Sequence, residues 1–145
     1  MPSYIKCSEY DEATGTSSII LEINGEVYYG TAQAHPDDMD LANSKTGLEI
    51  ALHRAEIDAL SARIKQLKVE LGALNQLYYS INQSKRFNAK SYENIMLQRQ
   101  IRMKQEDIQT VKEVRKQLKA DLSDYITRKD IFYKQVRRGR EANPQ

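Results

Sequence analysis

The spacing of apolar residues changes once, near residue 44, and this change constrains the fold more than any other feature of the sequence. Between Thr46 and Asn143 the chain contains no proline and only three glycines, so this long stretch has few helix breakers. Before Asn43, short runs rich in β-branched and aromatic residues alternate with polar positions. The sequence therefore predicts a β region followed by a long α region.

Three strands are predicted in the β region, over 4–10, 18–23 and 26–32. The dipeptide Asn24-Gly25 separates the last two runs. It readily takes the positive φ angles of a type I′ turn, so a two-residue hairpin is expected there. The turn over 11–16 is longer and looser. These runs predict a three-stranded antiparallel sheet.

The α region carries two heptad patterns, separated by the polar segment 82–88. The predicted seam of the first helix is Ile50, His53, Ile57, Leu60, Ile64, Leu67, Leu71, Leu74, Tyr78 and Ile81. The second helix is expected to reach Arg138, and Gly139 to end it. Its predicted seam is more polar: Asn94, Leu97, Ile101, Lys104, Ile108, Val111, Arg115, Leu118, Leu122, Tyr125, Lys129, Phe132 and Val136.

The lysines and the arginine on the second seam admit two interpretations. In the first interpretation, they lie in the interface and fix the register of the two helices. In the second, the drift interpretation, the seam turns gradually away from the 3.5-residue repeat, so that their charged groups face water while their aliphatic chains pack against the protein. The drift interpretation is preferred. His53, on the first seam, is expected to be packed and hydrogen-bonded near the sheet.

A loop of fewer than ten residues makes two long helices antiparallel neighbours. The sequence thus predicts an α+β fold: a three-stranded antiparallel sheet followed by a long antiparallel helical hairpin with coiled-coil packing. The predicted domains are an acidic β head over 1–44, the hairpin packed on the sheet at its base over 45–140, and a tail over 141–145. Phe132 and Val136 are expected to seal that base.

Charge is divided between the two regions. Residues 1–44 hold one cation against eight acids, a net charge of −7, whereas residues 45–145 hold 21 cations against 12 acids, a net charge of +9. Attraction between the ends explains this split as well as partner binding does. No apolar run long enough for a membrane span and no secretory signal is present, and the single Cys7 cannot form an internal disulfide, so a cytoplasmic protein is expected.

The sequence predicts no catalytic residues, no metal site and no cofactor. The densest group of metal-capable side chains is His35, Asp37, Asp38 and Asp40, with Glu49 and His53 on the following helix. Acids next to a helix start are also explained by the helix dipole, and this interpretation is preferred. No nucleophile elbow, phosphate-binding glycine loop or metal-hydrolase motif occurs.

Two surfaces are predicted to bind a partner. One is the tip of the hairpin, where cations and aromatic residues adjoin: Lys85, Arg86, Phe87 and Tyr92. Local packing at a turn explains the same residues. The alternative surface is the acidic head, where four carboxylates could imitate phosphates for a basic partner: Glu22, Glu26, Asp37 and Asp38.

The segment 30–38, Gly-Thr-Ala-Gln-Ala-His-Pro-Asp-Asp, followed by 46–55 with Ala-Leu-His-Arg-Ala at its end, resembles a pattern in small uncharacterised proteins of phages and prophages. It is also similar to bacterial domains described as like the double-stranded-RNA-binding domain, with three strands and a helix. The resemblance covers roughly residues 26–60. It implies a β-β-β-α head and an accessory role in host takeover or in inhibiting host defence, anti-CRISPR proteins included.

The functional expectation is a non-enzymatic accessory protein that binds and inhibits a host protein or ribonucleoprotein. Two alternatives stay open. One is nucleic-acid binding through the basic helix and the head, and the other is a structural oligomer, such as a homodimer, assembled through the helices.

Overall fold

The computed structural model describes residues 3–35, 44–83 and 92–142, with side chains up to residue 139. Three strands, β1 (Ser3–Asp11), β2 (Thr16–Ile23) and β3 (Glu26–Gln33), precede two helices, α1 (Ser44–Asn82) and α2 (Tyr92–Ala142). This order confirms the predicted α+β fold of a three-stranded antiparallel sheet followed by two long helices.

The sheet has the strand order β1-β2-β3, and both pairs are antiparallel. Ile23 pairs with Glu26 across the predicted hairpin, and Asn24 and Gly25 have φ angles of 56° and 82°. These positive angles are those of a type I′ turn, as predicted. A β-bulge between Ile5 and Cys7 interrupts the pairing of β1 with β2.

The chain divides into two compact units. The sheet unit comprises Met1–Ala59 and Lys116–Gln145, and the helical unit comprises Leu60–Arg115. Each helix therefore contributes one part to the sheet unit and one part to the helical unit.

Small residues form the centre of the sheet unit. Ala51 and Ala55 of α1 are fully buried in one cluster with Ile19, Leu21 and Ala32 of the sheet. Gly30 of β3 packs against the α1 backbone so closely that a Cβ atom at this position would lie 2.8 Å from the amide nitrogen of Ala55 and would collide with the carbonyl of Ala51. The predicted seam did not include these alanines, because a heptad of large residues suits a helical partner and a sheet presents a flatter surface.

The helical unit has the predicted seam. Ile64 and Leu67 of α1 and Leu97 and Ile108 of α2 are buried. Polar contacts cross between the helices, among them Tyr78 with Gln98 at 3.2 Å, Glu70 with Lys104 at 2.9 Å, and Ser61 with Arg115 at 3.2 Å. As residue numbers fall on α1 they rise on α2, so the helices are antiparallel.

The drift interpretation of the polar seam residues is wrong for Lys104 and Arg115. Both are half-buried on the seam, and each hydrogen-bonds to the facing helix. The polar side chains are retained on the seam because each finds a partner across it.

Two predictions for the end of α2 are also wrong. The helix continues through Gly139 to Ala142, since one glycine costs only about 1 kcal/mol in a helix interior and no second stop signal coincides with it. The prediction that Phe132 and Val136 seal the base is wrong for Phe132, which is 53% exposed, whereas Val136, Ile126 and Tyr133 are half-buried. A straight helix rotates by about 20° per heptad relative to a 3.5-residue repeat, which moves the buried face away from the extrapolated seam.

Candidate partner-binding surfaces

The two faces of the sheet differ in what covers them. Along β2, Ser17, Ile19 and Leu21 are buried on the face that packs on α1, and the intervening residues belong to the opposite face. We call this opposite face the outer sheet face. Its residues follow from the strand register: Tyr4, Cys7, Glu9, Ser18, Ile20, Glu22, Val27, Tyr29 and Thr31.

The outer sheet face exposes aromatic and aliphatic side chains. Tyr29 is 63% exposed and Tyr4 is 55% exposed, and Val27 is exposed beside them. Tyr29 pairs with Ile20, which is half-buried at the centre of the sheet. Large apolar side chains on a face that none of the described elements covers are typical of an interaction surface.

Glu22 lies between the exposed apolar residues. Its cross-strand partners are Tyr4 and Val27, and its carboxylate lies 3.8 Å from the ammonium group of Lys6. A hydrogen bond from the Tyr4 hydroxyl to this carboxylate raises the pKa of Tyr4. Glu26 begins β3 and accepts a hydrogen bond of 3.1 Å from the Tyr28 hydroxyl. Two of the four predicted acids therefore lie at one end of the sheet.

Of the other predicted site residues, the structure describes Tyr92 alone. Asp37 and Asp38 of the acidic head, and Lys85, Arg86 and Phe87 of the tip, lie outside the described residues. Tyr92, the first residue of α2, is 76% exposed. The prediction of a binding tip therefore rests on one described residue.

The sheet unit also contains a cavity that the sequence did not indicate. Its volume is about 360 Å³, and its wall combines the end of β3, the first turn of α1 and one side of α2 near residue 130. Tyr10, Ile50, Ile126 and Tyr133 supply much of the lining. Burial raises the pKa of the neighbouring Tyr125, whose hydroxyl also hydrogen-bonds with Glu49. The cavity arises from segments distant in sequence, including β1, the end of β3, α1 and α2, so no local pattern marks it.

The histidines are not gathered into a metal centre by the described part of the chain. Within residues 3–35, 44–83 and 92–139 no three side chains among His, Cys, Asp and Glu lie together as metal ligands. His53 Nδ1 lies 4.0 Å from a Glu56 oxygen and has no hydrogen-bond partner among the described residues. The predicted hydrogen-bonded role of His53 is therefore wrong for this nitrogen.

Neither described helix meets the length and apolarity that a membrane crossing requires. Comparison with known proteins adds no relative: no family model, no curated protein and no solved structure matches this chain.

Proposed function

We propose that this chain is a non-enzymatic binding protein that docks its outer sheet face on a basic protein surface in the host cytoplasm. Exposed Tyr4, Val27 and Tyr29 around Glu22 are the observation that supports the proposal. The resemblance to phage and prophage proteins suggests the setting, an accessory protein that inhibits a host defence effector in the manner of anti-CRISPR proteins.

The charge of the outer sheet face selects the class of partner. Glu9 and Glu22 belong to this face, and Lys6 is the one cation in residues 1–44. Carboxylates repel a phosphate backbone and attract lysine and arginine. Tyrosine adds an aromatic face to which an arginine guanidinium can bind through a cation–π interaction. A protein surface rich in arginine therefore fits better than a nucleic acid does.

The proposal is tested by capture from a host lysate with three forms of the protein. The double substitution Tyr4→Ser with Tyr29→Ser removes both aromatic residues of the outer sheet face. The matched control, Tyr79→Ser with Tyr92→Ser, removes two exposed tyrosines of the helices. We expect the wild type and the control to capture the same protein, and the sheet variant to lose it, with an affinity loss of about 2 kcal/mol or more on the purified pair.

The opposite pattern would contradict the proposal. If the sheet variant retains the partner and the control loses it, binding runs through the helices and the predicted tip. Circular dichroism should show that neither variant loses structure, since all four tyrosines are exposed.

A further inference from the structure

The two sides of the helical unit differ in charge. With the seam residues at heptad positions a and d, positions e and b of both helices flank it on one side, and positions g and c flank it on the other. A shallow groove confirms this frame, because it is lined from α1 by Glu70, Ala73 and Leu77 and from α2 by Gln100 and Met103, all at g or c. The e and b positions of both helices therefore share the opposite side.

That opposite side, which we call the cationic side, carries no carboxylate at its e and b positions. Its thirteen e and b positions in residues 60–115 hold four cations and five amides. The cations are Lys65, Lys68, Arg102 and Lys112, and the amides are Asn75, Asn82, Gln98, Gln105 and Gln109. The g and c positions instead hold one cation, Arg63, and three acids, Glu70, Glu93 and Asp107.

The four cations are available to a ligand. Lys65, Lys68 and Arg102 are exposed, and Lys112 is half-buried. Across the described residues, none of the four lies within 4.0 Å of a carboxylate oxygen. The nearest acids of α2, Glu106 and Glu113, lie at position f of the heptad, and a Glu113 oxygen accepts a hydrogen bond of 3.3 Å from Gln109.

We propose that the cationic side binds the phosphodiester backbone of a nucleic-acid duplex, without reading its sequence. The antiparallel register places Arg102 about eight residues along the arm from Lys65, which is a separation of roughly 12 Å. A line of charges of this length suits a repeating polyanion better than a single small anion. Gln105 lies between the cations along the arm, and its amide group is a further donor to phosphate oxygens.

The residue types favour a duplex over a single strand. Single-strand binding uses aromatic side chains on which bases stack, and Tyr79 is the one aromatic residue at these thirteen positions. Four phosphate contacts would release about four counterions, so binding should weaken steeply with salt. Affinity should fall roughly 100-fold between about 50 mM and 200 mM salt.

The experiment measures binding of a fluorescently labelled duplex DNA of about 20 base pairs across a salt series. The variant Lys68→Gln with Arg102→Gln removes two cations from the cationic side. The matched control, Arg63→Gln with Lys134→Gln, removes the same charge from elsewhere. We expect the salt dependence of the wild type and the control to agree, and that of the variant to fall to roughly 10-fold over the same range.

Equal salt dependence in both variants would overturn the proposal, and so would absence of binding by the wild type. An RNA duplex of the same sequence should bind through the same backbone contacts and would support it. Equal or tighter binding of polyglutamate or of a single strand of oligothymidine would overturn the assignment to a duplex. Both variants alter exposed side chains, and circular dichroism verifies that they remain folded.

Discussion

In the sheet unit, α1 approaches the strands through Ala51 and Ala55, whereas in the helical unit the same helix meets α2 through Ile64 and Leu67. Alanines let two backbones approach until Gly30 has no room for a Cβ atom. Leucine and isoleucine instead interlock as side chains and keep the helix axes roughly 8–10 Å apart. One continuous helix thus uses two packing modes, selected by the shape of the surface it meets.

Both units hold polar groups at buried or half-buried positions. The helical unit places Lys104 and Arg115 on its seam and satisfies each with a partner on α1. The sheet unit buries Ser17, whose Oγ has no hydrogen-bond partner among the described residues and lies against Gly47. A paired polar group on a seam favours one register over others, so the polar contacts explain how a two-helix arm keeps its alignment.

The largest expected effect comes from placing a charge in the seam of the helical unit. Leu67 is 1% exposed, and Leu67→Asp would bury a carboxylate with no cation beside it. We expect a loss of about 4 kcal/mol in the free energy of unfolding, measured by urea denaturation. The control Val69→Asp, at an exposed position two residues away, should change stability by no more than about 0.5 kcal/mol. Equal effects of the two substitutions would show that the seam is not packed.

The next effect tests the close approach in the sheet unit. Gly30→Ala places a methyl group against backbone atoms of α1. These atoms cannot move aside by a side-chain rotation, so the helix and the strand would have to separate. We expect a loss of about 3 kcal/mol, measured by the same denaturation.

Gly72 provides the matched control for this substitution. It lies within α1 in the helical unit, with nothing within 4 Å of the site of a Cβ atom. Gly72→Ala should therefore stabilise the protein by about 0.5–1 kcal/mol, because alanine favours the helix. The same substitution should have opposite signs in the two units, and equal signs would contradict the comparison.

The smallest effect concerns the polar seam. A hydrogen bond from Lys104 and a second from Gln66 lower the pKa of Glu70 below its ordinary value. A lowered pKa in the folded state means that this stabilisation is present above the ordinary pKa of glutamate and is lost as the pH falls through the lowered one. Lys104→Met should return the pKa of Glu70 toward its ordinary value, as measured by NMR titration of the carboxyl carbon. An unchanged pKa would show that the contact with Lys104 does not form in solution.

Much of the local structure could be predicted from the sequence. The Asn24-Gly25 turn follows from the φ angles those residues tolerate, and the antiparallel helical pair follows from two heptad patterns joined by a short polar segment. The seam from Leu60 to Leu118 needs only a 3.5-residue period. Of the predicted site residues, Glu22, Glu26 and Tyr92 are described, and their roles in binding stay predictions.

Packing between segments distant in sequence decided the rest. The periodicity of α1 could not show that Ala51 and Ala55 would be buried in place of the larger seam residues, because that depends on the sheet that β1–β3 present. Likewise, the charges of α2 are scattered along its sequence. Only the antiparallel register brings Lys65 and Lys68 to the same side as Arg102 and Lys112. The sequence determines which face of each helix is apolar, since this is a local period, whereas the tertiary structure determines what that face meets and which charges become neighbours.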